Sequence, residues 1–198
     1  LTGSTSTTVL FTPFLQPEHT VVNVCKYQQT GAKGRILQGT KQNNFYGFHG
    51  GRSGVGYLRG VWMTTVENRF DTKWVVSSQT SRKYRGNRQD FTKDGLGTTS
   101  TLATQVAINE GVYGGEDTAW ACSEILLFNE NLSDDELLCL EDYLYDKYAP
   151  NETPDPTPAP ITAAPSKSPT VAPTFEPCTN DDVEFNINFI TDESGSVT

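Results

Sequence analysis

Few residues of this chain are spaced for bond chemistry. Histidine occurs only as His19 and His49, and no nucleophile-elbow motif is present to pair with either. Retaining glycoside hydrolysis needs two carboxyl groups about 5 Å apart. The nearest acids, Glu116, Asp117 and Glu124, have the wrong spacing to share one face of a strand. Asp134, Asp135 and Glu136 are accounted for by the start of a helix. Cys25, Cys122, Cys139 and Cys178 form no Cys-x-x-Cys pair, which disfavours zinc. The expectation is therefore a protein that is not an enzyme.

Binding chemistry is better represented. Phe45, Tyr46, Phe48, His49, Trp62 and Trp74 could build a platform on which sugars stack their apolar faces, with Asn43, Asn44, Arg52 and Arg59 nearby in sequence to fix orientation. Alternating aromatics also fill sandwich cores. Core positions are favoured for Phe45, Phe48, Trp62 and Trp120, leaving Tyr46, His49, Arg52 and Asn44 as the carbohydrate-binding candidates. Two N-glycosylation sequons occur, Asn131-Leu132-Ser133 and Asn151-Glu152-Thr153.

The elements that must carry these residues are mostly strands. Short β-rich runs recur between Gly-rich and polar turns: TTVLF, HTVVNVCKY, GRILQG, NFYGFHG, GVGYLRGVW, KWVVSSQ, TLATQVAI and AWACSEILLF. That spacing predicts an all-β fold, an antiparallel sandwich or barrel. One segment differs: Ser133 and Glu136 form a capping box, and Leu137, Leu140 and Leu144 follow at helical spacing until Pro150. One helix of about 15 residues should close the domain.

Nine of the eleven prolines fall between Pro150 and Pro177, so residues 150–177 are expected to be an extended Pro/Thr/Ser-rich linker. Beyond it Val183, Phe185, Ile187 and Phe189 alternate with polar residues, and 178–198 reads as the start of a second β module. Residues 1–149 form the main domain.

The net charge of −9 is unevenly distributed. Residues 31–93 hold twelve Lys/Arg and three acids, a net of +9; residues 94–198 hold two Lys and twenty acids, a net of −18. The favoured reading is two solvated surfaces of one domain. An acidic balance without a recognition motif argues against nucleic acid, and no apolar run is long enough for a membrane span. Four well-spaced cysteines in a Pro/Thr-rich acidic chain fit an oxidising, extracellular or cell-surface setting. Three pairings are open. A Cys122–Cys139 bridge would staple the helix, Cys25 has no evident partner, and a partner for Cys178 is expected outside this chain's 198 residues.

The run WACSEILLFNENLSDDELLCLEDYLYDKY, from Trp120 to Tyr148, resembles the C-terminal signature of concanavalin A-like, laminin-G-like jelly-roll domains. Glu124, Ile125, Leu127, Phe128, Leu132, Ser133, Glu136, Tyr143, Leu144, Lys147 and Tyr148 match it, whereas Ser123, Cys122 and Cys139 depart from it. NNFYGFHGGRSGVGYLRGVW is similar to the middle of such domains. The resemblance implies an antiparallel jelly-roll β-sandwich that lacks its N-terminal strands, Leu1-Thr2-Gly3 falling just after them. It implies no catalysis by the glucanase members' route, because their E-x-D-x-x-E run is absent. It makes Ca2+ a possible cofactor, with Glu110, Glu116 and Asp117 of the loop before Trp120 as candidate ligands; no cofactor is otherwise indicated. The linker and the trailing strand are similar to segments of large secreted algal proteins.

Two roles follow as expectations. The first is a structural or adhesive subunit of an extracellular filament or cell-surface assembly. There the strand at Val183, Phe185, Ile187 and Phe189 would complete a neighbouring copy or module head to tail. The alternative is a lectin-like, carbohydrate-binding module of a multidomain surface protein, with glycans as partners.

Overall fold

The computed structural model describes residues 1–67, 74–96 and 103–148. Among them are twelve strands and one helix. Sheet 1 contains β1 (Thr2–Gly3), β3 (Thr20–Tyr27), β8 (Val75–Gln79), β9 (Tyr84–Gly86), β10 (Gln89–Asp90) and β12 (Trp120–Phe128), in the order β1-β12-β3-β8-β9-β10. Sheet 2 contains β2 (Val9–Leu15), β4 (Leu37–Gly39), β5 (Phe45–His49), β6 (Arg52–Leu58), β7 (Val61–Trp62) and β11 (Thr104–Ile108), in the order β2-β11-β4-β5-β6-β7. Neighbouring strands in both sheets run antiparallel. The chain is thus an all-β antiparallel sandwich closed by α1 (Asp134–Tyr148). All eight β-rich runs of the sequence lie in or overlap strands. The short β1, β9 and β10 carry too few residues to show a pattern and emerge only through pairing.

β3 is buried on both faces, and this organises the layers. Val21 and Cys25 turn inward and meet Tyr46, Phe48, Leu58, Val106 and Ile108 of sheet 2. Val22 and Val24 turn outward, and with Val76 and Leu126 they receive Leu140 and Leu144 of α1. Period-2 alternation thus supplies one core between the sheets and another under the helix. The sheets come close where β6 carries Gly56: a Cβ there would fall 2.6 Å from the Tyr84 ring.

The helix begins as the sequence requires. The Glu136 N–H donates to Ser133 Oγ (3.3 Å), and the Ser133 N–H donates to the Glu136 carboxylate (2.7 Å). It is fastened by Glu141, which is fully buried. The Arg85 Nε–H is 3.0 Å from each Glu141 oxygen, and the Ser78 hydroxyl also donates to this carboxylate. Burial raises the Glu141 pKa, against the opposing pull of Ser78 and Arg85. Around this pair, Lys83 meets Asp134, and Arg88 meets Asp142 and Asp146. The contrast between a basic 31–93 and an acidic 94–198 is therefore partly consumed inside the domain, where the basic β9 region faces the acidic helix. Apart from Arg85 and Glu141, these paired charges remain at the solvated surface of the domain.

The cysteines also depart from expectation. Cys25 and Cys122 are directly opposite across β3 and β12 and form a disulfide. Cys139 is disulfide-bonded as well, but not to Cys122. The proposed Cys122–Cys139 staple fails because strand register, which spacing along the chain does not reveal, gives Cys122 to Cys25. Cys178, the linker 150–177, Asn151 and the strand at Val183, Phe185, Ile187 and Phe189 lie outside the described residues.

Two stability outcomes follow. Glu141→Ala leaves Arg85 buried and unpaired, and should cost about 3–5 kcal/mol in urea unfolding. Replacing Cys25 and Cys122 together with Ala removes a crosslink spanning 97 residues. It should lower stability by roughly 2–5 kcal/mol, read as a fall in the unfolding midpoint; an unchanged midpoint would show that the bond contributes nothing.

Candidate functional site

The outer face of sheet 2, away from sheet 1, carries an aromatic stack. Gly56 points toward Gln79 and Tyr84 of sheet 1, so alternation sends the next residue, Tyr57, to the opposite face. Phe45 pairs with Tyr57, and Tyr57 with Trp62. The Phe45 ring stacks on His49 (4.6 Å between centroids) and on Tyr57 (5.3 Å). Trp62 closes the group edge-on, at 5.4 Å from both Phe45 and Tyr57 and 5.8 Å from His49. Phe45 is buried beneath its neighbours, while His49, Tyr57 and Trp62 stay half-buried.

A glycine-rich loop, residues 110–117, lies across this face. Its base is tied by Asn109 and Thr118: the Thr118 N–H donates to Asn109 Oδ1, and Asn109 Nδ2 donates to the Thr118 carbonyl, both at 2.9 Å. Asn109 Nδ2 also reaches the carbonyls of Ser4 and Thr7. Its C-terminal arm is pinned where the Arg35 N–H donates to the Glu116 carbonyl (2.7 Å). Between these anchors Tyr113 is half exposed.

Arg35 joins loop to platform. Its guanidinium carbon lies 5.0 Å from the Phe45 ring centroid and 5.3 Å from that of Tyr113. Its Nη1 donates to Asn43 Oδ1 (2.7 Å), and its Nε pairs with the Glu116 carboxylate. The other Glu116 oxygen is 3.5 Å from His49 Nε2. Burial lowers the His49 pKa; Glu116 opposes that shift, and Arg35 and Arg52 reinforce it. The arrangement offers ring edges, a fixed guanidinium and amide groups, a set suited to holding a polar ring with apolar faces.

The predicted site residues divide. His49 belongs to the stack, and Arg52 is its register partner across β5 and β6. Tyr46 and Asn44 do not line the surface: both are fully buried. Tyr46 shares the inward parity of Phe48, and its hydroxyl is satisfied by donating to His19 Nε2 (3.2 Å), while His19 Nδ1 donates to the Gln16 carbonyl (2.7 Å). Asn44 Oδ1 accepts the Arg59 N–H, capping the turn before β7. Pleat parity, not side-chain polarity, decided these positions. It also places Phe45 and Trp62 outside the inter-sheet core expected for them, whereas Phe48 and Trp120 do lie in it. Trp74 packs under the helix.

Of the proposed calcium ligands, Glu110 is exposed, Asp117 is half-buried, and Glu116 is engaged by Arg35 and His49. No three metal-binding side chains converge among the described residues. Asn131 takes part in a turn contact: its Oδ1 accepts from the Ser81 N–H (3.0 Å), and its Nδ2 donates to Ser81 Oγ (2.7 Å). Arg35, Tyr57 and Tyr113 are the site residues that sequence reasoning did not select; Asn43 was named only as a polar neighbour of the platform. The Tyr inside a Gly-rich loop was their one local signal.

No protein-family model matches the chain, and no curated protein sequence does. Solved structures of sialidases do. A Trypanosoma rangeli sialidase mutant displaying trans-sialidase activity is 15% identical at a TM-score of 0.46, covering 66% of this chain and 23% of its own. A Streptococcus pneumoniae sialidase is 14% identical at 0.41, covering 70% and 27%. The chain thus spans about a quarter of the length of these proteins. These matches overturn the expectation that the chain is not an enzyme. At such TM-scores they assign this chain no activity. What the fold defines is an antiparallel β-sandwich closed by one helix.

Burial holds both histidines below the ordinary value of 6.5. The unfolded chain then binds protons more readily than the folded one, so this stability is complete above 6.5 and declines as pH falls through and below it. Glu141, raised above 4.5, acts in the opposite sense. The difference between parent and His19→Gln isolates the histidine: the parent should lose more stability than the variant between about pH 7.5 and about pH 5.5. Equal losses in urea midpoints would contradict this.

Proposed function

We propose that the chain is a carbohydrate-binding, lectin-like module of a multidomain extracellular protein, of the concanavalin A-like, laminin-G-like kind. The aromatic group on the outer face of sheet 2 carries this reading: Tyr57 and His49 flank Phe45, Trp62 meets both edge-on, and all three are half-exposed and bordered by Asn43, Arg35 and Arg52. Sugars bind such surfaces by laying C–H faces on rings, while fixed polar groups select hydroxyl geometry. The likeness to sialidases is compatible with this reading but is not its basis.

The setting is extracellular in this proposal. A disulfide persists in an oxidising compartment, and no described helix is long and apolar enough to cross a membrane. Residues 1–149 form the binding module, 150–177 a spacer and 178–198 the start of the next unit. The filament-subunit reading, with copies joined through Val183, Phe185, Ile187 and Phe189, has no comparable observation behind it.

A glycan array probed with the disulfide-bonded protein, with and without calcium, is the test. Retention of a defined glycan set is expected, and Trp62→Ala, assayed at a temperature where the variant is folded, should weaken it about tenfold, equivalent to about 1.4 kcal/mol. Absence of retention under both conditions would refute the proposal.

A further inference from the structure

Two arginines are buried among the described residues, and their counter-charges differ. The Arg85 partner, Glu141, has a side chain only 1% exposed and is sealed under the helix. The Arg35 partner, Glu116, has a side chain 36% exposed although Arg35 itself is 5% exposed. The rest of the Arg35 setting is enclosed. Its guanidinium lies by the rings of Phe45 and Tyr113, and Nη1 is held by Asn43. The Glu116 backbone is fixed independently, by the Arg35 N–H and by Gly34, where a Cβ would collide with the Glu116 carbonyl. Rotation of the Glu116 side chain alone, with no movement of the loop, would uncover the Nε edge of the guanidinium.

The surroundings favour another anion in that place. The turn before Arg52 is tied to the Lys33–Gly34 segment, with the Gly51 N–H donating to the Lys33 carbonyl (2.7 Å) and the Gly50 N–H to the Gly34 carbonyl (3.2 Å). This gathers Lys33, Arg35 and Arg52 near the loop acids Glu116 and Asp117. Unused hydrogen-bonding capacity also lies here. His49 Nδ1 is buried without a partner, and so is the whole Gln38 amide, next to Phe45 in register and covered by Gly111. Buried polar atoms without partners are costly unless a ligand or water completes them.

We infer that this site takes an acidic saccharide whose carboxylate replaces that of Glu116 on Arg35, with the sugar ring on the His49–Trp62 side of the platform. This rests on the carbohydrate-binding reading and adds the ligand's charge and the residue that competes with it. Glu116 is a built-in occupant: it compensates Arg35 in the free protein and yields to the ligand. No bond is made or broken.

The test compares a short oligogalacturonate with an uncharged galactan oligomer of equal length, by calorimetry on the intact chain. The acidic oligomer should bind about tenfold more tightly, with a preference that weakens as salt rises. Glu116→Gln should tighten the acidic oligomer by roughly three- to tenfold and leave the uncharged one unchanged, because the competitor loses its charge. Lys33→Gln combined with Arg52→Gln alters half-buried positions and serves if Glu116→Gln unfolds the protein. It should weaken only the acidic oligomer, about fivefold. Equal affinity for both oligomers, or a Glu116→Gln or Lys33→Gln/Arg52→Gln variant that does not change their ratio, would overturn the inference while leaving carbohydrate binding intact. Failure of both oligomers and of every arrayed glycan would overturn the two together.

Discussion

β3 has no face turned to water, and the rest of the molecule is arranged to cover it. Val21 and Cys25 need the second sheet; Val22 and Val24 need a further layer, which α1 supplies. Burying apolar surface on both sides of one strand provides the driving force for sheet pairing and helix docking together. The Cys25–Cys122 bond then joins this strand to its neighbour β12, which leads directly to the helix. Sandwich and helix are therefore consequences of one doubly covered strand.

Charge is treated in two ways in the same fold. Under the helix, Arg85 and Glu141 form a closed pair with Ser78, out of reach of solvent. On the far side of the sandwich, Arg35 is as firmly enclosed by rings and Asn43, yet its counter-ion stands half in solvent. A closed pair can fix a helix position but exchange nothing. An open pair presents an oriented guanidinium to any anion able to displace the resident carboxylate. This difference separates a structural arginine from one placed for recognition.

The glycine-rich loop connects these themes. Asn109 and Thr118 close its base with reciprocal hydrogen bonds, so its position is set by the sandwich beneath. Tyr113 and Glu116 are consequently delivered to Arg35 from a fixed frame.

The eight β-rich runs, the capping box at Ser133 and the Leu137–Leu140–Leu144 stripe were legible because each is a local pattern, repeating with the period of its own element. From the sequence alone these determined an all-β domain closed by one helix. Contacts between elements were not legible. Strand register chose Cys25 for Cys122, and pleat parity turned Tyr46 inward while leaving Phe45 and His49 on the opposite face. Arg35, Asn43 and Tyr113 become neighbours only when the loop that follows β11 folds over the outer face of sheet 2. Periodicity reports which side of an element is buried; what lies against that side depends on pairing and layering, and these the tertiary structure alone decided.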